Sequence, residues 1–159
     1  MITSGRGRGR WIGLFDSGIG GLSVWREVAR ELPGQPLLYL ADQAHCPYGV
    51  RPLEEIRRIA QAVVQWLVDQ GAEVIVVACN TASAAALYHL RERFSVPIVG
   101  MEPAIKPAVL RTRSGRVGVL ATPGTFAGEP YARLLARYAR GAEVIAQTCP
   151  DWVAHVVSG

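Results

Sequence analysis

Lysine is almost missing from this chain. Of its seventeen basic side chains only Lys106 is a lysine, and it sits between Ile105 and Pro107. A pyridoxal phosphate enzyme needs a lysine for its Schiff base, and one wedged beside a proline is a poor candidate, so that cofactor is set aside and none is expected. Cysteine is scarce as well. Cys46, Cys79 and Cys149 contain no Cys-x-x-Cys pair, which argues against a disulfide framework or a zinc site; no metal is expected, and the redox setting reads as cytoplasmic. No apolar run approaches the roughly 20 residues of a membrane span. Residues 1–10, Met-Ile-Thr-Ser-Gly-Arg-Gly-Arg-Gly-Arg, have no apolar core segment and are not expected to be a secretory signal. They read as a disordered Gly/Arg tail. Its arginines lack interleaved aromatics to stack on bases, so no nucleic-acid partner is expected. Neither GxGxxG nor the GK[ST] of a phosphate loop occurs.

What is present is a folded chain. Half of the 159 residues are hydrophobic, 19% are charged and the net charge is +4, enough for one domain with its own core or one domain and part of another. Strand-like and helix-like stretches alternate. Trp11–Phe15, Leu37–Ala41, Glu73–Val77, Val96–Gly100, Arg116–Ala121 and Glu143–Gln147 read as strands. Helices are predicted over 24–32, 53–70, 82–94, 124–138 and from Trp152, with a short helix or turn over 105–110. The helix over 53–70 would bury Ile56, Ile59, Ala60, Val63, Val64 and Leu67. Connections too long for hairpins predict an α/β fold, a doubly wound parallel sheet with right-handed crossovers. The polar segment 111–115 reads as a hinge. Polar or reactive residues gather where strands should end: Asp16-Ser17, Asp42, Cys79-Asn80-Thr81, Glu102 and Thr122. In open α/β sheets that edge binds ligands.

Cys79 stands out among them, between a β-branched strand with no charge after Glu73 and an alanine-rich helix. It is either a small core cysteine or a reactive one whose pKa is lowered by the helix N-terminus. If reactive, it serves as the nucleophile of a Cys–His pair, for which His45 is the available partner, or as a thiolate base, with Asn80, Thr81, Tyr48 and the Gly49 N–H as donors to a substrate. The turn at Gly18–Gly21 is either a simple glycine turn capped by Asp16-Ser17 or a set of N–H groups for a carboxylate.

Together, Gly13–Ser23, Ala41-Asp42 with Pro47–Arg51, Ala78–Ser83, Gly100–Ala104, and Val119–Thr122 with Thr125 closely resemble glutamate racemase of the Asp/Glu racemase superfamily. The first block favours glutamate over aspartate or hydantoin racemases, which share the cysteine. The resemblance implies cofactor-independent interconversion of L- and D-glutamate, with D-glutamate going to peptidoglycan and cell-wall synthesis. It implies Cys79 as the base on one face of the α-carbon, supported by Asp16. It also implies Asp16, Ser17, Tyr48, Gly49, Asn80, Thr81, Thr122 and Thr125 as substrate contacts, and leaves room for a homodimer.

The family's second cysteine lies in a Cys-Thr-His motif, which does not occur here. Cys149 and Cys46 are the substitutes on offer. The expectation is therefore the N-terminal portion of a longer protein: the tail over 1–10, a first α/β lobe over 11–102, and a partial second lobe over 103–159. Such a chain should bind glutamate poorly and racemise it slowly. The alternatives are another racemase of the superfamily and a non-catalytic module that keeps the fold.

Overall fold

The computed structural model describes residues 2–4 and 10–158. Five strands form one sheet: β1 (Ile2–Ser4), β2 (Trp11–Asp16), β3 (Leu37–Ala41), β4 (Ala72–Val77) and β5 (Ile98–Gly100), in the order β1-β3-β2-β4-β5. Strands β3, β2, β4 and β5 are parallel. Their near-continuous Val, Ile and Leu content follows from burial on both faces. On one face, α1 (Leu22–Glu31) lays Leu22, Val24, Trp25 and Val28 over Leu14, Leu37, Tyr39 and Val76. On the other lie α2 (Leu53–Asp69) and α3 (Asn80–Arg93). Helix α2 buries Ile56, Ala60, Val64 and Leu67, a stripe at the three-to-four-residue spacing of one helix face. Helix α3 is alanine-rich where it meets its neighbours, with Ala82, Ala85 and Ala86 buried, so the helices approach closely. The doubly wound parallel sheet predicted from the alternation is what forms.

The tail departs from expectation. Residues 2–4 are an antiparallel edge strand, with Ile2 opposite Tyr39 and Ser4 opposite Leu37. The reason is the free edge of β3, whose unpaired backbone groups accept any short extended segment. The rest of the expected disordered tail, Met1 and residues 5–9, lies outside the described residues.

The remaining elements build around a second, two-stranded parallel sheet. Strand β6 (Arg116–Ala121) pairs with β7 (Glu143–Thr148). Helices α4 (Ile105–Arg111), α5 (Pro123–Ala127) and α6 (Glu129–Tyr138) accompany it, and α7 (Trp152–Ser158) follows β7. Ile105, Tyr131 and Leu134 form its buried centre, with Val109, Val119 and Phe126 packed on them. Two expectations change here. The polar stretch after α4 is no hinge between units: α4 and β6 contribute to the same cluster, and Thr112 Oγ1 donates to the Arg116 carbonyl at 2.9 Å. The single helix expected over 124–138 is broken into α5 and α6 at Gly128, which is extended (φ −76°, ψ 140°). A Cβ there would lie 2.6 Å from both the Cβ and the carbonyl oxygen of Ala84. Close approach to α3 therefore sets the break, and Pro130, lacking an N–H, suits the first turn of α6. No helix of the described residues is long and apolar enough to cross a membrane.

Candidate functional site

The chain runs from β2 through α1 to β3 on one side, and from β4 through α3 to β5 on the other. The strand order thus reverses between β2 and β4, and a crevice opens at their carboxyl ends. Backbone bonds from Ala78 N to the Phe15 carbonyl (2.8 Å) and from Asp42 N to the Asp16 carbonyl (2.9 Å) continue the ladder past the strands. Asp16 and Cys79 consequently face the same crevice from neighbouring strands. A cavity of about 730 Å³ opens there, lined on one side by Asp16, Ser17, Tyr48, Gly49, Cys79 and Thr81. The second unit supplies the other wall, including Ile105, Val119, Thr122, Thr125 and Trp152.

Cys79 is the N-cap of α3, its sulfur accepting from Ala82 N at 3.4 Å. It is only 7% exposed, and Asp16 8%. The Cys79 Sγ lies 4.0 Å from Ser17 Oγ. The expected lowering of the thiol pKa is reversed: burial first, and then the Asp16 carboxylate, push it from 9.0 up to about 12. The Ala82 and Ser17 N–H groups pull the other way and are outweighed. A helix N-terminus offers partial charge, whereas loss of water and a full neighbouring charge both oppose the thiolate. Asp16 bears out the first reading of the glycine turn, in which its side chain caps it. Its Oδ2 accepts from Gly21 N at 2.8 Å, fixing the start of α1, while the residue still lines the cavity.

Tyr48 is buried, and its hydroxyl donates to Asp42 Oδ2 at 2.6 Å. His45 Nδ1 lies 2.9 Å from both Asp42 carboxylate oxygens. This overturns the Cys–His option: the imidazole is 48% exposed, engaged by Asp42, and absent from the cavity lining. Neither Cys46 nor Cys149 lines the cavity. Cys149 Sγ instead faces the Gln147 carbonyl at 3.7 Å. Asp42 and Glu102 also lie outside the lining; Asp42 acts one layer back, through Tyr48.

Thr81, Thr122 and Thr125 meet across the two units. Their hydroxyl oxygens lie 2.8 Å (Thr81–Thr122), 3.1 Å (Thr122–Thr125) and 3.3 Å (Thr81–Thr125) apart. Gly49 allows this closeness, since a Cβ there would come within 2.5 Å of Thr122. All eight residues expected to touch a substrate line the one cavity. Sequence reasoning missed Tyr39, a buried tyrosine whose hydroxyl donates to the Gly18 carbonyl at 2.8 Å. The available signal was a phenol in the middle of an apolar strand, since a buried hydroxyl needs a partner.

A sequence model of the Asp/Glu/Hydantoin racemase family matches residues 12–155. The chain belongs to that family. It is 60% identical over 151 residues to a glutamate racemase of Roseiflexus sp. (strain RS-1), covering 94% of this chain and 56% of the relative. A glutamate racemase of Pseudomonas aeruginosa is 52% identical over 149 residues, with 93% and 56% covered. Among solved structures, the Escherichia coli glutamate racemase in complex with L-glutamate and the activator UDP-MurNAc-Ala superposes with a TM-score of 0.83. It is 38% identical, with 94% of this chain and 55% of that one covered. The chain thus spans little more than half the length of these relatives.

Proposed function

We propose that this chain carries one half of a cofactor-independent glutamate racemase centre, with Cys79 exchanging a proton at the substrate α-carbon and Asp16 receiving and returning the thiol proton. The observation that supports this best is the desolvated thiol placed against a buried carboxylate at the floor of the cavity. A thiol with a pKa near 12 is scarcely ionised at pH 8, and forming its thiolate there costs about 5 kcal/mol. Its conjugate base is correspondingly strong, as a weakly acidic C–H bond requires. An amino-acid ammonium entering beside Asp16 lowers that cost, because an opposite charge favours the thiolate. In the deprotonation step the C–H bond electrons remain on carbon and the proton passes to sulfur; return of a proton to the opposite face completes inversion. Donors beside the cavity, the hydroxyls of Ser17, Thr81, Thr122 and Thr125 and the side chain of Asn80, suit the substrate carboxylates. Tyr48 and Gly49 shape the same wall.

The wall from the second unit carries no titratable side chain among the described residues. Among the described residues, therefore, no thiol lines the opposite face, and the proposal is slow exchange with little net inversion. Product D-glutamate for peptidoglycan, a cytoplasmic setting and room for a homodimer belong to the same reading. The test is α-proton exchange in D2O into L-glutamate and, separately, into D-glutamate, because a single base reaches the α-hydrogen of only one of them, followed by proton NMR beside circular dichroism. The expected result is measurable exchange on glutamate, weaker on aspartate, lost in Cys79→Ala, with ellipticity falling far more slowly. Exchange equal in wild type and Cys79→Ala removes Cys79 from the role, and rapid loss of ellipticity contradicts the half-centre.

A further inference from the structure

Tyr39 contributes its ring to the core on the α1 side of the sheet, against Leu14, Leu37 and Val76. A phenylalanine would fill that space equally well. The hydroxyl is the part that packing does not explain, because burying it without a partner would cost stability. It finds one 21 residues away, donating to the Gly18 carbonyl at 2.8 Å. The chain between Gly18 and Gly21 holds three glycines in four residues, the most conformationally free composition available. Gly21, at the end of this turn, supplies the N–H that grips Asp16 Oδ2 at 2.8 Å. A Cβ on Gly21 would sit 2.7 Å from Asp16 Cβ, 2.8 Å from the Tyr39 hydroxyl and 3.0 Å from Ala78 Cβ. The turn is thus wedged between the phenol, the carboxylate and the residue preceding Cys79.

We infer that Tyr39 is a positioning residue: its hydroxyl fixes the Gly18–Gly21 turn, and the turn holds the Asp16 carboxylate against the Cys79 thiol. This rests on the reading of Asp16 and Cys79 as the reacting pair. The titratable groups facing Cys79 are Asp16 at the end of β2, Tyr39 on β3 and Tyr48 in the short turn before α2. Cys46 approaches the Gly18 side of the same turn, 3.6 Å from a Cβ built there. Burial keeps both tyrosines protonated, so Tyr39 acts as a donor and not as a charge. Releasing the turn frees Asp16 to swing toward water, and the thiol loses its neighbouring charge.

The experiment uses the 159-residue chain carrying Cys46→Ser and Cys149→Ser, so that Cys79 is its one thiol. The rate of iodoacetamide alkylation is measured from pH 7 to pH 12. Tyr39→Phe should move the alkylation midpoint down by about one pH unit, roughly a tenfold faster reaction at any pH below it. Asp16→Asn should also lower the midpoint, and adding Tyr39→Phe to it should shift the midpoint no further. An unchanged profile in Tyr39→Phe overturns the inference. So does an equal shift in the Asp16→Asn background, because the phenol then acts independently of the carboxylate. A Tyr39→Phe chain that fails to fold, checked by far-ultraviolet circular dichroism, overturns it too, since the hydroxyl would then be purely structural. The underlying reading fails separately. Absent α-proton exchange with a Tyr39-dependent thiol profile removes the racemase role and keeps the positioning; exchange with an unmoved profile does the reverse.

Discussion

At Cys79 a helix N-terminus and a neighbouring carboxylate act on one sulfur with opposite sign. The partial charge of the helix end is worth up to about 2 kcal/mol in favourable geometry, whereas burial and Asp16 together lift the thiol to about 12. The sign of the consequence follows from linkage. A folded pKa above the unfolded one means that the fold favours the protonated thiol. That stabilisation is complete below pH 9 and is lost as pH rises through about 12. Across that window the native state should lose on the order of 4 kcal/mol through this group. Urea unfolding at pH 8 and pH 11 checks it: Cys79→Ser, whose hydroxyl does not titrate there, should lose less stability than wild type. A further consequence is that sluggish alkylation of Cys79 at neutral pH does not mark an inert core cysteine, and thiol probes must be read at alkaline pH.

Among the elements, α3 carries the heaviest demands. It is capped by Cys79, presents Thr81 to the second unit, and lets α2 approach through alanines. Its Ala84 touches the break between α5 and α6, so small residues face each other where the two units meet. Gly128→Ala would drive a methyl into Ala84, including its backbone carbonyl 2.6 Å away, and backbone cannot yield as a side-chain tip can. The expected cost is about 1–3 kcal/mol, read as a lower urea midpoint with an unchanged slope. Gly118→Ala, at an exposed position where a Cβ meets nothing within 4 Å, serves as the control for altered glycine content and should shift the midpoint by less. Much of this organisation was legible beforehand. The apolar stripe of α2 is a local periodicity, and the buried strands are local runs of β-branched residues. The α5–α6 break carried one local signal, Pro130 inside the expected helix, but its placement at Gly128 answers to Ala84, 44 positions away.

For the molecule as a whole, the two sheets differ in how well they are covered. The first is sandwiched between helices, with Phe15, Ile75, Val77 and Leu90 fully buried. The second has Val117 buried on β6 and a three-residue buried cluster beneath it, and Leu120, Ile145 and Trp152 are about half exposed. Regions with little buried apolar surface open at lower free energy than the global transition. Native-state hydrogen exchange should therefore find the amides of β2 and β4 exchanging only by global unfolding, while those of β6 and β7 exchange through a cheaper local opening. Equal protection of the two sheets would refute this. The sequence by itself determined the alternation of strands and helices from Trp11 onward, the parallel sheet, and the arrival of Asp16 and Cys79 at strand ends, because hydrophobic period and turn chemistry act over a few neighbouring residues. Only the tertiary structure decided that the Cys79 thiol is harder to ionise than an ordinary one and that Tyr39 anchors the glycine turn. Each of these depends on desolvation or on partners brought together through space, and neither is written in a residue's local neighbourhood.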